Sequence, residues 1–178
     1  MVTAKCYNNC PLCCNKQFDM NAIPVVDRWD YDEIMITGGD PMLYPNRLED
    51  LLESIRWITS EMGRDTKLYL YTSRVAWDKL DRFIKHKYID GVVLAPHSTD
   101  DLKYFRKVNF ELLQKTKYGY DIDCSLILKV FPETKDALPE NLKVWKVKET
   151  QWIENCPLPE GEDFRRVATL WFEDKIGF

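Results

Sequence analysis

Short apolar runs and amphipathic stretches take turns along most of this chain, and few folds accommodate that rhythm. Residues 33–37 (Glu-Ile-Met-Ile-Thr) form a β-branched run stopped by Gly38-Gly39, which predicts a buried strand. Beyond Arg47, Leu48, Leu51, Leu52, Ile55 and Ile58 recur at helical spacing, with Gly63 as the C-terminal stop. Residues 67–72 alternate like a strand, 75–87 read as a helix, and 91–95 as another buried strand ended by Pro96. Thr99-Asp100-Asp101 caps a further helix carrying Leu102, Phe105, Val108, Leu112 and Leu113. Residues 122–130 make a long strand, 143–148 a last one, and 2–5 a short one at the start. Strands alternating with amphipathic helices indicate βαβ units, hence an α/β fold with a mostly parallel sheet. Right-handed crossovers gather the C-terminal ends of all strands on one rim, where such folds bind ligands.

That rhythm fades after Thr150. We read residues 1–150 as the core and 151–178 as an irregular C-terminal extension, with 167–172 as an edge strand. Its Trp152, Phe164, Trp171, Phe172 and Phe178 would pack on the core or cap it. At 178 residues the chain fits one domain. Its 25 Lys and Arg against 29 Asp and Glu, interleaved, argue against nucleic-acid binding through a broad basic surface. The N-terminal residues lack a signal peptide's apolar core, and no apolar run approaches a membrane span, so the expectation is a cytoplasmic protein with no membrane partner.

In a reducing cytosol, clustered cysteines point to metal or redox chemistry rather than disulfides. Four of the six cysteines crowd together: Cys6, Cys10, Cys13 and Cys14. Cys124 lies in an apolar alternation and reads as core, while Cys156 falls in a loop and stays open. Cys6, Cys10 and Cys13 spell C-x3-C-x2-C. Three thiolates on one loop suit a cubane iron–sulfur cluster and leave one iron without a protein ligand. Structural zinc needs four closed ligands, and here the fourth would come from Cys156 or His97.

Ile-Thr-Gly-Gly-Asp-Pro, residues 36–41, follows the 33–37 strand directly. Paired glycines permit close backbone approach to a ligand, and the Asp40 carboxylate can accept from an ammonium group. The same residues also make an ordinary strand-to-helix turn.

Taken together, the cysteine spacing and the glycine motif resemble the radical S-adenosylmethionine enzymes. The resemblance implies a partial (βα)6 barrel in which Cys6, Cys10 and Cys13 hold a [4Fe–4S] cluster. Gly38, Gly39, Asp40 and Pro41 would then bind the methionine amino group of S-adenosylmethionine. Ser73, Arg74 and Ser98, at the ends of the 67–72 and 91–95 strands, would contact its ribose and carboxylate, with Thr72, His97, Thr99 and Lys129 as further candidates. Tyr7 and Leu12 would pack against adenine or cluster. Two departures stand out: Asp40 replaces the commoner glutamate, and Cys14 stands where an aromatic residue often follows the third cysteine. The implied activity is reductive cleavage of S-adenosylmethionine to a 5′-deoxyadenosyl radical. The radical would abstract hydrogen from a small molecule or nucleotide, or from a glycyl-radical partner protein that the chain activates. An electron donor such as flavodoxin or ferredoxin follows. No residue is assigned to the hydrogen abstraction itself. The competing expectation is a non-catalytic domain that binds zinc, or a degenerate cluster, and a partner.

Overall fold

In the computed structural model, which describes residues 1–10, 12–16, 19, 22–153, 158 and 160–168, five strands pair in chain order. They are β1 (Glu33–Ile36), β2 (Lys67–Thr72), β3 (Gly91–Leu94), β4 (Ser125–Val130) and β5 (Lys146–Glu149), and every pair is parallel. The fold is therefore α/β around a parallel sheet. Because the strand order never reverses, right-handed crossovers carry all connections over the same face.

That face is the core. Ile36, Leu68, Leu70, Val92, Leu94, Leu126 and Leu128 meet the apolar stripes of three helices: α1 (Pro45–Glu61), α2 (Trp77–Lys85) and α3 (Thr99–Lys117). Leu48, Leu52 and Ile55 of α1 and Leu80 and Phe83 of α2 have no exposed surface. Truncating one such side chain to alanine costs about 2–5 kcal/mol. Helix α1 ends as expected, with Gly63 at φ +67° and its N–H bonded to Ser60 O at 2.9 Å. The crossover from β4 to β5 contains only a four-residue helix, α4 (Pro132–Lys135). The rest of that connection is pinned to α3, where Trp145 Nε1 donates to Asn109 Oδ1 at 3.0 Å.

The opposite face carries Met35, Tyr69, Tyr71, Val93, Ile127 and Lys129, brought together by the register. β3 is buried at all four positions. Its Gly91 lies under Tyr69, whose ring a Cβ there would meet at 2.7 Å. Lys129 of β4 reaches across β3 to place its ammonium 5.1 Å from the Tyr71 ring centre on β2.

Besides shifts of one or two residues at other element ends, three strand starts differ from the expectation. Residues 2–5 form no strand of their own. They extend the hydrogen bonding past the end of β1, through Val2 N to Thr37 O (2.9 Å), Gly39 N to Thr3 O (2.5 Å) and Asp40 N to Lys5 O (2.7 Å). β4 begins at Ser125 rather than 122, because Cys124 N bonds to Ile122 O (2.8 Å) in a tight turn. β5 begins at Lys146 because a turn bonds Trp145 N to Leu142 O. Arg166 bridges Val25 in parallel, and Val167 N donates to Met1 O at 3.0 Å. The rest of the expected 167–172 strand, with Cys156, Trp171, Phe172 and Phe178, lies outside the described residues, save Ala168. No helix among the described residues is long and apolar enough to cross a membrane.

Candidate functional site

The glycine motif begins with a steric demand. A Cβ on Gly39 would collide with the carbonyl of Lys5, and one on Gly38, where φ is +147°, with that of Thr3. The close approach that these glycines permit is thus to the chain's own residues 3–5. Docked there, the chain passes from Lys5 straight into Cys6. The cysteine loop is thereby laid over the C-terminal rim of the sheet.

Asp40 has no exposed surface and uses its carboxylate inward. Oδ1 accepts from Met42 N (3.0 Å) and Thr72 Oγ1 (2.6 Å), and Oδ2 from Ser73 N (2.9 Å) and Ser73 Oγ (2.6 Å). These four bonds occupy the roughly four acceptor positions of a carboxylate. They clamp the glycine loop to the end of β2. Burial pushes the Asp40 pKa up, against the pull of those donors.

Between Cys6 and Cys10, Asn8 ties the cysteine loop to two elements. Its Nδ2 donates to Ser73 Oγ at 3.1 Å and to Asp101 Oδ2 at 2.8 Å. Asp101, fully buried in the first turn of α3, also accepts from His97 N (2.9 Å) and from Arg74. The Arg74 guanidinium sits 4.5 Å from the Tyr7 ring centre and 5.0 Å from that of Tyr104. Tyr7 closes the unit by donating from its hydroxyl to Met42 O at 3.0 Å.

Cys10 is buried, and Cys6 and Cys13 are half-buried. Burial pushes the Cys6 thiol up to about 11; the Asn8 N–H opposes this, while Asp40, Cys10 and Cys13 add to it. Cys10 is raised by burial and then by Cys13. Neighbouring cysteines thus add to the resistance of Cys6 and Cys10 to ionisation, which a bound cation would relieve. Among the described residues, no group of three or more His, Cys, Asp or Glu gathers around a point suited to one metal ion. A cubane asks for less convergence, since each thiolate binds a different iron.

His97 stands at the centre of the rim. Its Nδ1 is 3.4 Å from Cys10 Sγ, and its ring meets Phe131 edge-on at 4.7 Å and Trp152 at 5.0 Å. Phe131 and Trp152 stack at 4.3 Å, so the start of the C-terminal extension does pack on this rim. Burial lowers the His97 pKa.

No family model, curated protein or solved structure matches the chain. The site therefore has to be read from its own geometry.

Most of the expected residues converge on this rim. Cys6, Cys10, Cys13, Gly38, Gly39, Asp40, Pro41, Ser73 and Arg74 belong to one hydrogen-bonded and packed unit. Ser98 serves a different purpose: its Oγ accepts from Asp101 N at 3.2 Å and caps α3, in place of the Thr99-Asp100-Asp101 cap. Lys129 lies on the helix-free face beside Tyr71, and Leu12 is half-buried in the loop. Cys14 opens a short 3-10 turn, Cys14–Lys16. Cys124 packs against the core, and burial pushes its thiol up to about 12. Asn8, Asp101 and Phe131 were not foreseen as parts of the site. An amide inside the cysteine loop was the only local signal among them.

Proposed function

We propose that the chain is a radical S-adenosylmethionine enzyme, with Cys6, Cys10 and Cys13 as ligands of a [4Fe–4S] cluster. The observation that carries this reading is the physical union of the two motifs. The glycine turn and the cysteine loop lie on one rim, joined through Gly39 N to Thr3 O and Asp40 N to Lys5 O. The donor set fits: three soft thiol sulfurs, one buried and two half-buried, lie on one short loop, and thiolates suit iron and sulfide. The chemistry such a cluster supplies is reductive cleavage of S-adenosylmethionine to methionine and a 5′-deoxyadenosyl radical.

The chain's own residues then divide the work. With the Asp40 acceptors turned inward, the backbone carbonyls of Gly38 and Gly39 would be the groups to receive the methionine amino group. Asp40 and Pro41 hold that turn in shape. Ser73 and Arg74 act from beneath, fixing the loop through Asn8 and Asp101. Sequential strand order and one-sided helices support a partial (βα)6 barrel, with residues 2–5 in the place of its first strand. Tyr71 and Lys129 would line its interior and help to exclude water. The hydrogen donor is a small molecule, a nucleotide or a glycyl-radical partner protein, and a flavodoxin or ferredoxin supplies the electron.

A zinc site is the competing reading, favoured by the nitrogen donor that His97 places 3.4 Å from Cys10 Sγ. The test is anaerobic reconstitution with iron and sulfide, then dithionite and S-adenosylmethionine, with 5′-deoxyadenosine measured by chromatography. Production that disappears in Cys10→Ala is the expected result. Zinc uptake with no cluster assembly would overturn the enzyme reading.

A further inference from the structure

Taking the cluster reading as its basis, we infer that His97 raises the cluster's reduction potential by donating a hydrogen bond from Nδ1 to the Cys10 thiolate. Four observations place the donor. Nδ1 lies 3.4 Å from Sγ. The backbone of His97 is fixed by its N–H bond to the buried Asp101 at 2.9 Å. The ring is held by Phe131 at its edge and Trp152 at its flank, so aromatic packing helps to set its direction. Its other nitrogen, Nε2, is buried with no hydrogen-bond partner among the described residues.

The last observation separates two roles. A histidine that ligates a metal ordinarily donates its second N–H to a carboxylate, carbonyl or water, which orients the ring and strengthens the ligand. Among the described residues that support is missing, and Phe131 and Trp152 flank the ring. A histidine that only donates to a sulfur needs nothing from its second nitrogen. Once Cys10 is a thiolate it has no proton to give, so the contact is satisfied by the tautomer with hydrogen on Nδ1 and a bare Nε2.

The consequence is thermodynamic. One-electron reduction by the external donor adds a negative charge that is shared with the ligating sulfurs. A hydrogen bond to one of them stabilises the reduced form more than the oxidised form, which is how such bonds tune these potentials. A bond that strengthens tenfold, in equilibrium terms, on reduction shifts the potential by ~59 mV for one electron.

The experiment uses the reconstituted full chain without S-adenosylmethionine, in wild type, His97→Phe and His97→Asn. Midpoint potentials come from redox titration followed by electron paramagnetic resonance. His97→Phe fills the aromatic box without a donor, and its potential should fall by about the tenfold equivalent. His97→Asn retains an N–H near the Nδ1 position and should recover most of the difference. Equal potentials in wild type and His97→Phe would overturn the inference. A measurement on the wild-type chain alone guards against a variant that fails to fold or load. With 15N-labelled histidine, the reduced cluster should show one weak nitrogen hyperfine coupling. A strong coupling would make His97 a ligand, and no coupling would remove it from the sulfur; either result sinks the inference while leaving the cluster standing. A wild-type chain that assembles no cluster sinks the enzyme reading itself, and this inference with it.

Discussion

Arg74 donates through both Nε and a terminal nitrogen to one oxygen of Asp101, at 2.9 and 2.8 Å, and Asp101 has no exposed surface. The other Asp101 oxygen receives Asn8 and the backbone of His97, so one carboxylate organises the cysteine loop, the rim and the start of α3.

Removing the guanidinium would strand that charge. Arg74→Ala should lose about 3–5 kcal/mol of stability, the range for breaking one partner out of a buried pair. Arg74→Lys should fall between, because an ammonium keeps the charge but neither forks nor stacks well between Tyr7 and Tyr104. Urea denaturation checks both. An unchanged midpoint in Arg74→Ala would show that solvent reaches Asp101.

Asp40 sits in a space with no room to spare. Asp40→Glu adds a methylene to a fully enclosed site and should cost about 1–3 kcal/mol through overpacking. Asp40→Asn is close in size, but its amide nitrogen would face N–H and O–H donors, leaving at least one of them unbonded at about 1–3 kcal/mol. Thermal melts of the two variants should both fall below wild type. Wild-type stability in Asp40→Glu would mean that the commoner glutamate fits this turn equally well.

The Cys6 thiol, raised to about 11 by burial, should be almost wholly protonated at neutral pH in the metal-free chain. Its alkylation by iodoacetamide, followed by peptide mass spectrometry, should be slow at pH 7.5 and climb steeply above pH 10. Under the cluster reading, loading iron at neutral pH would release the Cys6 proton, so uptake should weaken as the pH falls. Rapid modification of folded protein at pH 7.5 would contradict this environment.

Much of the architecture was readable from local pattern. β1, β2 and β3 were visible because β-branched or alternating runs end at Gly38, Ser73 and Pro96. The late starts of β4 and β5 were not, because Ile122 and Val144 continue the apolar pattern while their neighbours' backbone bonds curl into turns. The metal-binding candidates stood out through spacing, whereas their supports did not. Asn8 and Asp101 are 93 residues apart, and no local period pairs them. Asp40 was expected to face a ligand. It turns inward because the parallel register brings Thr72 and Ser73 beside it, a relationship held by tertiary structure alone. The paired glycines invited the same expectation, and residues 3–5 fill the approach they allow.

Asp90 offers a pH test away from the site. Burial works against its ionisation, but Leu68 N (2.7 Å), Arg56 (2.6 Å) and Lys67 together hold its carboxyl below the ordinary value of 3.8. A depressed folded value means that the ionised carboxylate stabilises the fold. That contribution is complete above about pH 4 and is lost as the pH drops through the folded value. Asp90→Asn should therefore be less stable than wild type at pH 6, with the difference shrinking towards pH 2. A gap that stays constant with pH would assign the effect to packing instead.

The shielding of β3 on both faces has a kinetic consequence. Amide protons exchange with solvent only when their hydrogen bonds open, and those of a strand covered above and below are released only by the largest openings. The amides of Val92, Val93 and Leu94 should accordingly be among the slowest to take up deuterium, and those of the cysteine loop among the fastest. The rim can then breathe above a floor that keeps its shape throughout.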